Sequence, residues 1–260
     1  MIDIQAVTKQ FQRGGLNVQA LGPLDLHIQA GEFVTILGPS GCGKTTLLHM
    51  LGGFETPSSG QVLVDGQPVT GPGRDRGMVF QEATLFPWKT VLENVAWPMR
   101  VAGQSRAMAT EQAAALLDRV GLARFARAYP GELSGGMRQR ASLARTLAMA
   151  PKVLLMDEPF GALDAQTREI MQEELNRWWQ ASGLTVVFIT HDIAEAIFLG
   201  DRVVVMSSAP GQVLADVRIE LPRPRDARTK LDPAVLQYRE QFWQLLRSAT
   251  APASTDGAAR

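Results

Sequence analysis

The chain has 260 residues, 45% hydrophobic and 20% charged, the composition of an ordinary folded protein with length for one large domain or two modest ones. Basic and acidic side chains number 26 each, so there is no basic excess to hold nucleic acid or acidic lipid by bulk charge, and a nonspecific polyanion binder is excluded. One cysteine, Cys42, rules out an internal disulfide, the opening residues carry no basic-then-apolar leader, and no apolar run approaches the ~20 residues of a spanning helix. The expectation is a cytosolic chain that needs another chain for any work across a membrane.

Apolar residues alternate at Ile2 and Ile4, and again at Leu24, Leu26 and Ile28, which predicts half-buried antiparallel strands turned at Gly14-Gly15. Phe33 to Leu37 is a continuous apolar run that stops at a glycine-rich loop, and residues 44–51 then become helical in character. Residues 61–64 before Asp65-Gly66 read as a hairpin strand and its turn. Residues 85–150 read as mainly helical, with Thr110 placed as the cap of a helix through Leu116, Leu117 and Val120, and Gly121 as its stop.

The period then changes. Residues 153–156, 186–189 and 203–206 are short, β-branched-rich runs suited to a buried parallel sheet, and Met171, Leu175 and Trp178 mark a helix between the first two. Asp232-Pro233 begins a last helix with Val235, Leu236, Phe242, Leu245 and Leu246 as its apolar face, and residues 248–260 read as a frayed tail.

Gly38-Pro39-Ser40-Gly41-Cys42-Gly43-Lys44-Thr45 fits G-x-x-x-x-G-K-[ST] and lies between a buried strand and a helix start, where a phosphate loop has to be. Its glycines let backbone N–H groups curl around phosphate oxygens at the positive end of a helix. Lys44 reaches the terminal phosphates and the Thr45 hydroxyl ligates Mg²⁺, with Thr46 following. A second element, residues 153–156 followed by Asp157-Glu158, is an apolar strand ending in two carboxylates, one able to hold Mg²⁺ and the other to polarise an attacking water. A third, Leu133-Ser134-Gly135-Gly136-Met137, caps a helix with a serine and two glycines and makes another anion seat.

Phosphate loop, Ser-Gly-Gly seat and Asp-Glu strand, in that order, resemble the nucleotide-binding subunit of ATP-binding cassette transporters over nearly the whole chain. The resemblance implies an α/β P-loop NTPase fold with a mixed central sheet and an N-terminal antiparallel β subdomain. Residues 1–84 and 151–247 would form the ATP-binding core, residues 85–150 an inserted helical subdomain carrying the signature, and 248–260 a disordered tail. It implies that Gln81 senses Mg²⁺ and the γ-phosphate, that Gly161-Ala162-Leu163-Asp164 is the dimer-contact loop, and that His191 is the switch histidine. It further implies ATP and Mg²⁺ as ligands, a head-to-tail homodimer in which Ser134, Gly135 and Gly136 complete the partner's site, and integral-membrane permease subunits. A solute-binding protein would serve the same system, which works on the cytoplasmic face of the cell membrane.

Two positions depart from the family pattern. Met137 stands where the signature usually has Gln, and Phe11 where the adenine-stacking aromatic is usually Tyr; Phe11 reads equally as core. Leu85-Phe86-Pro87-Trp88-Lys89 reads either as subdomain core or as a groove for a permease helix. Cys42 is either an incidental small residue or a thiol made acidic by the nearby helix N-terminus. The run at residues 71–81, with Ala209-Pro210-Gly211 and the terminal helix, looks like the nitrate, sulfonate and taurine importer group, with no carboxyl-terminal regulatory domain expected. The rival is a cassette ATPase outside transport, such as an iron–sulfur assembly factor. Chromosome-type ATPases are set aside because too few positions separate Gly38 from Leu133 for a long coiled coil.

Overall fold

The computed structural model describes residues 1–161 and 163–250, apart from the side chains of Arg13 and Thr250. Strands β1 (Ile2–Arg13) and β2 (Leu16–Ile28) form an antiparallel hairpin turned at Gly14-Gly15, and β1 also pairs with β4 (Ser59–Val64), which turns at Asp65-Gly66 into β5 (Gln67–Pro68). Alternate residues Ile2, Ile4, Leu24, Leu26 and Ile28 all point inward and are buried, as strand periodicity requires.

The larger sheet has the order β10-β9-β3-β8-β7-β6. Its strands are β3 (Phe33–Leu37), β6 (Arg76–Val79), β7 (Val153–Asp157), β8 (Thr185–Thr190), β9 (Arg202–Met206) and β10 (Val213–Arg218). All pair in parallel except β10, which runs antiparallel to β9 and makes the sheet mixed. The central strands are continuous apolar runs because both their faces are covered. Leu155, Val187 and Ile189 pack toward the small sheet and helix α1 (Lys44–Gly52), whereas Leu154, Met156, Val186 and Phe188 pack against α5 (Ala165–Ser182) and α6 (Ile193–Leu199).

Three helices, α2 (Val91–Val101), α3 (Arg106–Arg119) and α4 (Gly135–Leu147), enclose a separate apolar cluster built on Val91, Val95, Ala113, Leu117, Leu133 and Ala141. The cap of α3 is Ser105, not Thr110: the Ser105 hydroxyl accepts from the Met108 N–H at 3.3 Å. Thr110 lies inside the helix and donates back to the Arg106 carbonyl at 2.7 Å, the usual recourse of a threonine there. Gly121 does follow the helix end, at φ 68°.

The last helix, α7 (Pro233–Thr250), starts at Asp232-Pro233 and packs Val235 and Phe242 on Ile197 and Val205. Leu236 is 66% exposed and belongs to the opposite face, because one residue past Val235 turns about 100° around the helix. The helix also runs on through residues 248–250, so the frayed tail does not begin at 248; the rest of that expected tail lies outside the described residues. Among the described residues, no helix is long and apolar enough to cross a membrane.

Candidate functional site

Parallel register fixes where the chemistry gathers. Leu37 pairs with Thr190, Asp157 with Ile189 and Val79 with Met156, so the loops that leave β3, β6, β7 and β8 emerge along one carboxyl edge of the sheet. Those loops carry the glycine-rich segment, Gln81, Glu158 and His191 respectively.

The glycine-rich segment turns through Gly41 at φ 78° and Gly43 at φ 95°, a region open to glycine. Gly43 is also the N-cap of α1 and offers no side-chain cap, so the first N–H groups of that helix keep their capacity for an anion. A Cβ on Gly43 would lie 2.7 Å from Leu21 Cδ2, so glycine is needed there for space as well as for torsion. Lys44, 5% exposed, donates from Nζ to the carbonyls of Gly38 at 2.8 Å and Pro39 at 3.0 Å, which holds the ammonium over the loop. Ser40 and Thr45 are exposed, Pro39 and Thr46 half-buried.

Thr45 Oγ1 donates to Asp157 Oδ1 at 3.2 Å. Burial, and then the Glu158 charge, push the Asp157 carboxyl up, while the Thr45 bond draws it down. A hydroxyl and a carboxylate side by side, each with oxygen to give, fit the sparse protein shell of Mg²⁺, which keeps several waters and takes its other oxygens from phosphates.

Glu158 has φ 42°, a left-handed conformation unusual for a residue with a side chain and costing about 1 kcal/mol or more. Its N–H is anchored to the Ile189 carbonyl at 3.1 Å, and the turn swings the carboxylate off the strand axis toward His191, whose Nδ1 lies 2.9 Å from Glu158 Oε2. Thus Asp157 pairs with the phosphate loop and Glu158 with the next loop across, two neighbouring carboxylates sent to different partners.

Ser134 is the N-cap of α4, its hydroxyl accepting from Met137 N–H at 3.3 Å, and Gly135 and Gly136 open the helix. Met137 packs its side chain on the helical cluster, away from the cap oxygen. Among the described residues, no hydrogen bond joins this seat to the phosphate loop of the same chain. Gly136 instead lies against Leu163, where an added Cβ would come within 2.7 Å of Cδ2, so the seat and the loop ahead of Asp164 touch. Asp164 caps α5 by accepting from Thr167 N–H and Oγ1, bonds that hold its carboxyl below the usual range. Ala162 lies outside the described residues.

Gln81 is exposed two residues beyond β6, beside the edge that holds Asp157. Phe11 is 37% exposed, which removes its core reading, and the Lys9 ammonium sits 4.9 Å from its ring centre. The acidic-thiol reading of Cys42 also fails: the side chain is 1% exposed and burial pushes its pKa up, despite Lys44 nearby. It points inward under the loop, with Sγ where a Cβ on Gly38 would be only 2.9 Å away.

Gly211 is a supporting residue that the sequence pattern did not single out by role. It bonds to β2 through Gly211 N–H to Ala20 O and Gly22 N–H to Gly211 O, each at 3.0 Å, and a Cβ there would fall 2.0 Å from the Cys42 carbonyl oxygen. Only glycine lets this strand-like segment brace the phosphate loop from behind.

Comparison with known proteins gives one consistent answer. The ABC transporter family model matches residues 21–161, more than half the chain. The nitrate import ATP-binding protein of Synechocystis sp. is 49% identical over 252 residues, covering 95% of each chain. The taurine import ATP-binding protein of Rhizobium johnstonii is 48% identical over 241 residues, covering 91% of this chain and 92% of its own. A dimeric ATP-binding cassette solved in a post-hydrolysis state with ADP and Pi superposes with TM-score 0.78 at 35% identity, over 85% of this chain and 99% of that one. The loops at the sheet edge and these likenesses place the chain in the ABC transporter family, as an ATP-binding subunit that hydrolyses ATP.

Proposed function

We propose that this chain drives uptake of a small solute, nitrate, an alkanesulfonate or taurine, through a separate permease on the cytoplasmic face of the membrane. A solute-binding protein would deliver the solute on the far side. The importers of nitrate and taurine among its relatives support this reading. The single observation that carries the ATPase half is the gathering of phosphate loop, Asp157, Glu158 and His191 at one sheet edge.

In the working arrangement the N–H groups of residues 38–46 and the Lys44 ammonium take the phosphates of ATP, while the exposed Phe11 ring offers a stacking face to adenine. Thr45, Asp157 and Gln81 are the residues that would hold Mg²⁺. That ion supplies charge neutralisation between the terminal phosphates. Glu158 orients and deprotonates the attacking water, and His191 Nδ1 fixes the carboxylate's direction. Ser134, Gly135 and Gly136 of a second copy complete the phosphate site, with Asp164 at the contact. Bound ATP therefore holds two copies together and hydrolysis releases them. The separate apolar cluster of α2, α3 and α4 supports treating residues 85–150 as a subdomain apart from the ATP-binding core.

Residues 85–89 would make the permease contact. Leu85 is buried in the helical cluster, but Trp88 is 70% exposed and tilted on Phe86 at 5.5 Å, and Trp97, edge-on to Phe86 at 6.1 Å, is 38% exposed. Such an aromatic ledge suits the apolar face of a short helix. Trp88→Ala should leave soluble ATPase within about twofold and thermal stability within about 0.5 kcal/mol, as for surface changes, while lowering recruitment to permease-bearing membranes at least about tenfold. Unchanged recruitment would count against this contact.

The direct test is growth of a deletion strain with sulfate replaced by taurine or alkanesulfonates, and separately with ammonium replaced by nitrate. A defect on one source, rescued by the wild-type gene and not by one encoding Glu158→Gln, supports the reading and selects the solute. Normal growth on every source counts against this importer group.

A further inference from the structure

Glu195 is a carboxylate for which the hydrolytic arrangement above has no use, yet it is only 7% exposed. A buried carboxylate is costly unless its oxygens are matched, so its partners show what it is for. Oε1 accepts from Gln172 Nε2 on α5 at 3.0 Å, and Oε2 accepts from Thr190 Oγ1 at the end of β8 at 2.5 Å. The Thr190 hydroxyl in turn accepts from the Asp192 N–H at 3.0 Å. The residue enclosed by Thr190 and Asp192 is His191, so Glu195 grips the Thr190 side chain on one side of the histidine that meets Glu158 and, through that hydroxyl, the Asp192 N–H on the other. Burial pushes the Glu195 carboxyl up, and the bonds from Thr190 and Gln172 oppose the rise.

Helix α5 carries a second attachment. Arg168, one turn ahead of Gln172, donates from Nε to the Phe160 carbonyl at 3.3 Å and from Nη2 to the Leu163 carbonyl at 3.0 Å. Phe160 and Leu163 are thereby tied to α5, and α5, through Glu195, to the Thr190 hydroxyl beside His191. A cavity of about 70 Å³ between the two loops is lined by Glu158, Gly161, Arg168, His191 and Glu195.

We propose that Glu195 is a positioning residue: together with Gln172 and Thr190 it aims His191 at Glu158. The proposal rests on the reading of Glu158 and His191 as a hydrolytic pair.

The test uses the full chain carrying Glu195→Ala, Glu195→Gln or Gln172→Met, with steady-state ATPase and the nitrogen–proton NMR spectrum of the histidine rings as readouts. The chain has three histidines, His27, His49 and His191, so His191→Gln assigns its signals. Glu195→Ala should lower kcat about 10–100-fold, the scale of a misplaced catalytic geometry, with KM for ATP within about twofold, and should shift or broaden the His191 signals alone. Glu195→Gln still accepts from Gln172 and reverses the second bond, its amide donating to the Thr190 hydroxyl, and should bring kcat to within about threefold of wild type with the His191 signals near their wild-type positions. Gln172→Met keeps the Thr190 bond, and should lower kcat about 3–10-fold with a smaller change in the His191 signals. Should the alanine variant not fold, Gln172→Met decides. Unchanged His191 signals and kcat in the variants that fold would overturn the proposal, as would equal shifts of all three histidines. A wild-type chain without ATPase activity would instead sink the hydrolytic reading, and the ring spectra would still decide whether Glu195 sets His191.

Discussion

Glu158→Gln is expected to bind ATP as the wild type does and to hydrolyse it about 10²–10⁴-fold more slowly, the usual value of a positioned base. The substitution is close to isosteric. Its amide oxygen can still meet His191 Nδ1, at the 2.9 Å separation of the carboxylate, and the φ 42° turn and its anchor to the Ile189 carbonyl involve backbone alone. What disappears is the ability to take a proton from water. Asp157, one residue away, cannot substitute, because its carboxylate is directed to Thr45 and away from the loop that carries His191. The check is single-turnover hydrolysis beside a binding titration with a fluorescent ATP analogue. Slow turnover should also prolong association of two copies in ATP, visible as a dimer by light scattering. Hydrolysis within a few-fold of wild type would remove Glu158 from the role of base.

Arg225→Ala should destabilise the fold by about 3–5 kcal/mol, among the largest effects open to a single change outside the site. Arg225 is 4% exposed and donates from Nη1 to the carbonyls of Ile197 at 2.8 Å, Phe198 at 3.3 Å and Gly200 at 2.7 Å. Nη2 reaches those of Ile219 at 3.4 Å and Leu221 at 3.5 Å, while Nε is left without a partner. Arg223 adds the Leu199 carbonyl at 2.6 Å and pairs with Asp201. The two arginines therefore satisfy the carbonyls that the end of α6 cannot satisfy itself. Removing Arg225 strands several of these in the interior, each costing about 1–3 kcal/mol if water does not enter. Burial, then the neighbouring Arg223 charge, lower the Arg225 pKa to about 10. That is far enough above neutrality for the side chain to be charged in folded and unfolded chains near pH 7, so the loss should not vary with pH there. At about 2–4 °C per kcal/mol, thermal unfolding should come roughly 6–20 °C earlier. Arg225→Lys offers a point charge in place of a fork and should recover less than half of this. A melting temperature within about 2 °C of wild type for the alanine variant would show that water replaces the guanidinium at no cost.

The contrast between these two residues explains what could be read in advance. Phosphate loop, Ser-Gly-Gly cap and Asp-Glu strand are local: each function is carried by neighbours in sequence, and each lies on the element expected for it. The central strands were equally legible, because burial on both faces leaves an unbroken apolar run. Arg223 and Arg225 look like surface charges in a proline-broken stretch, since their partners at the end of α6 lie more than twenty residues away and carbonyl groups leave no mark in a sequence. The same holds for Glu195 and Gln172. Thr110 was placed as a cap because threonine suits that position, but Ser105, five residues earlier, has the extended backbone a cap requires. Of the two readings open for Cys42, the small buried residue holds: the loop turns its sulfur inward, where desolvation outweighs Lys44.

The helical layer enters the chain between β6 and β7, which are parallel neighbours in the sheet. Topologically it is a single crossover connection, expanded from the usual lone helix to three helices with their own interior. A crossover must only return the chain to the start of the next strand. Its length and content can change without altering strand order, pairing register or the carboxyl edge of the sheet. The two layers are therefore joined by chain continuity at only two points, and the sheet's pairing does not depend on what lies between them.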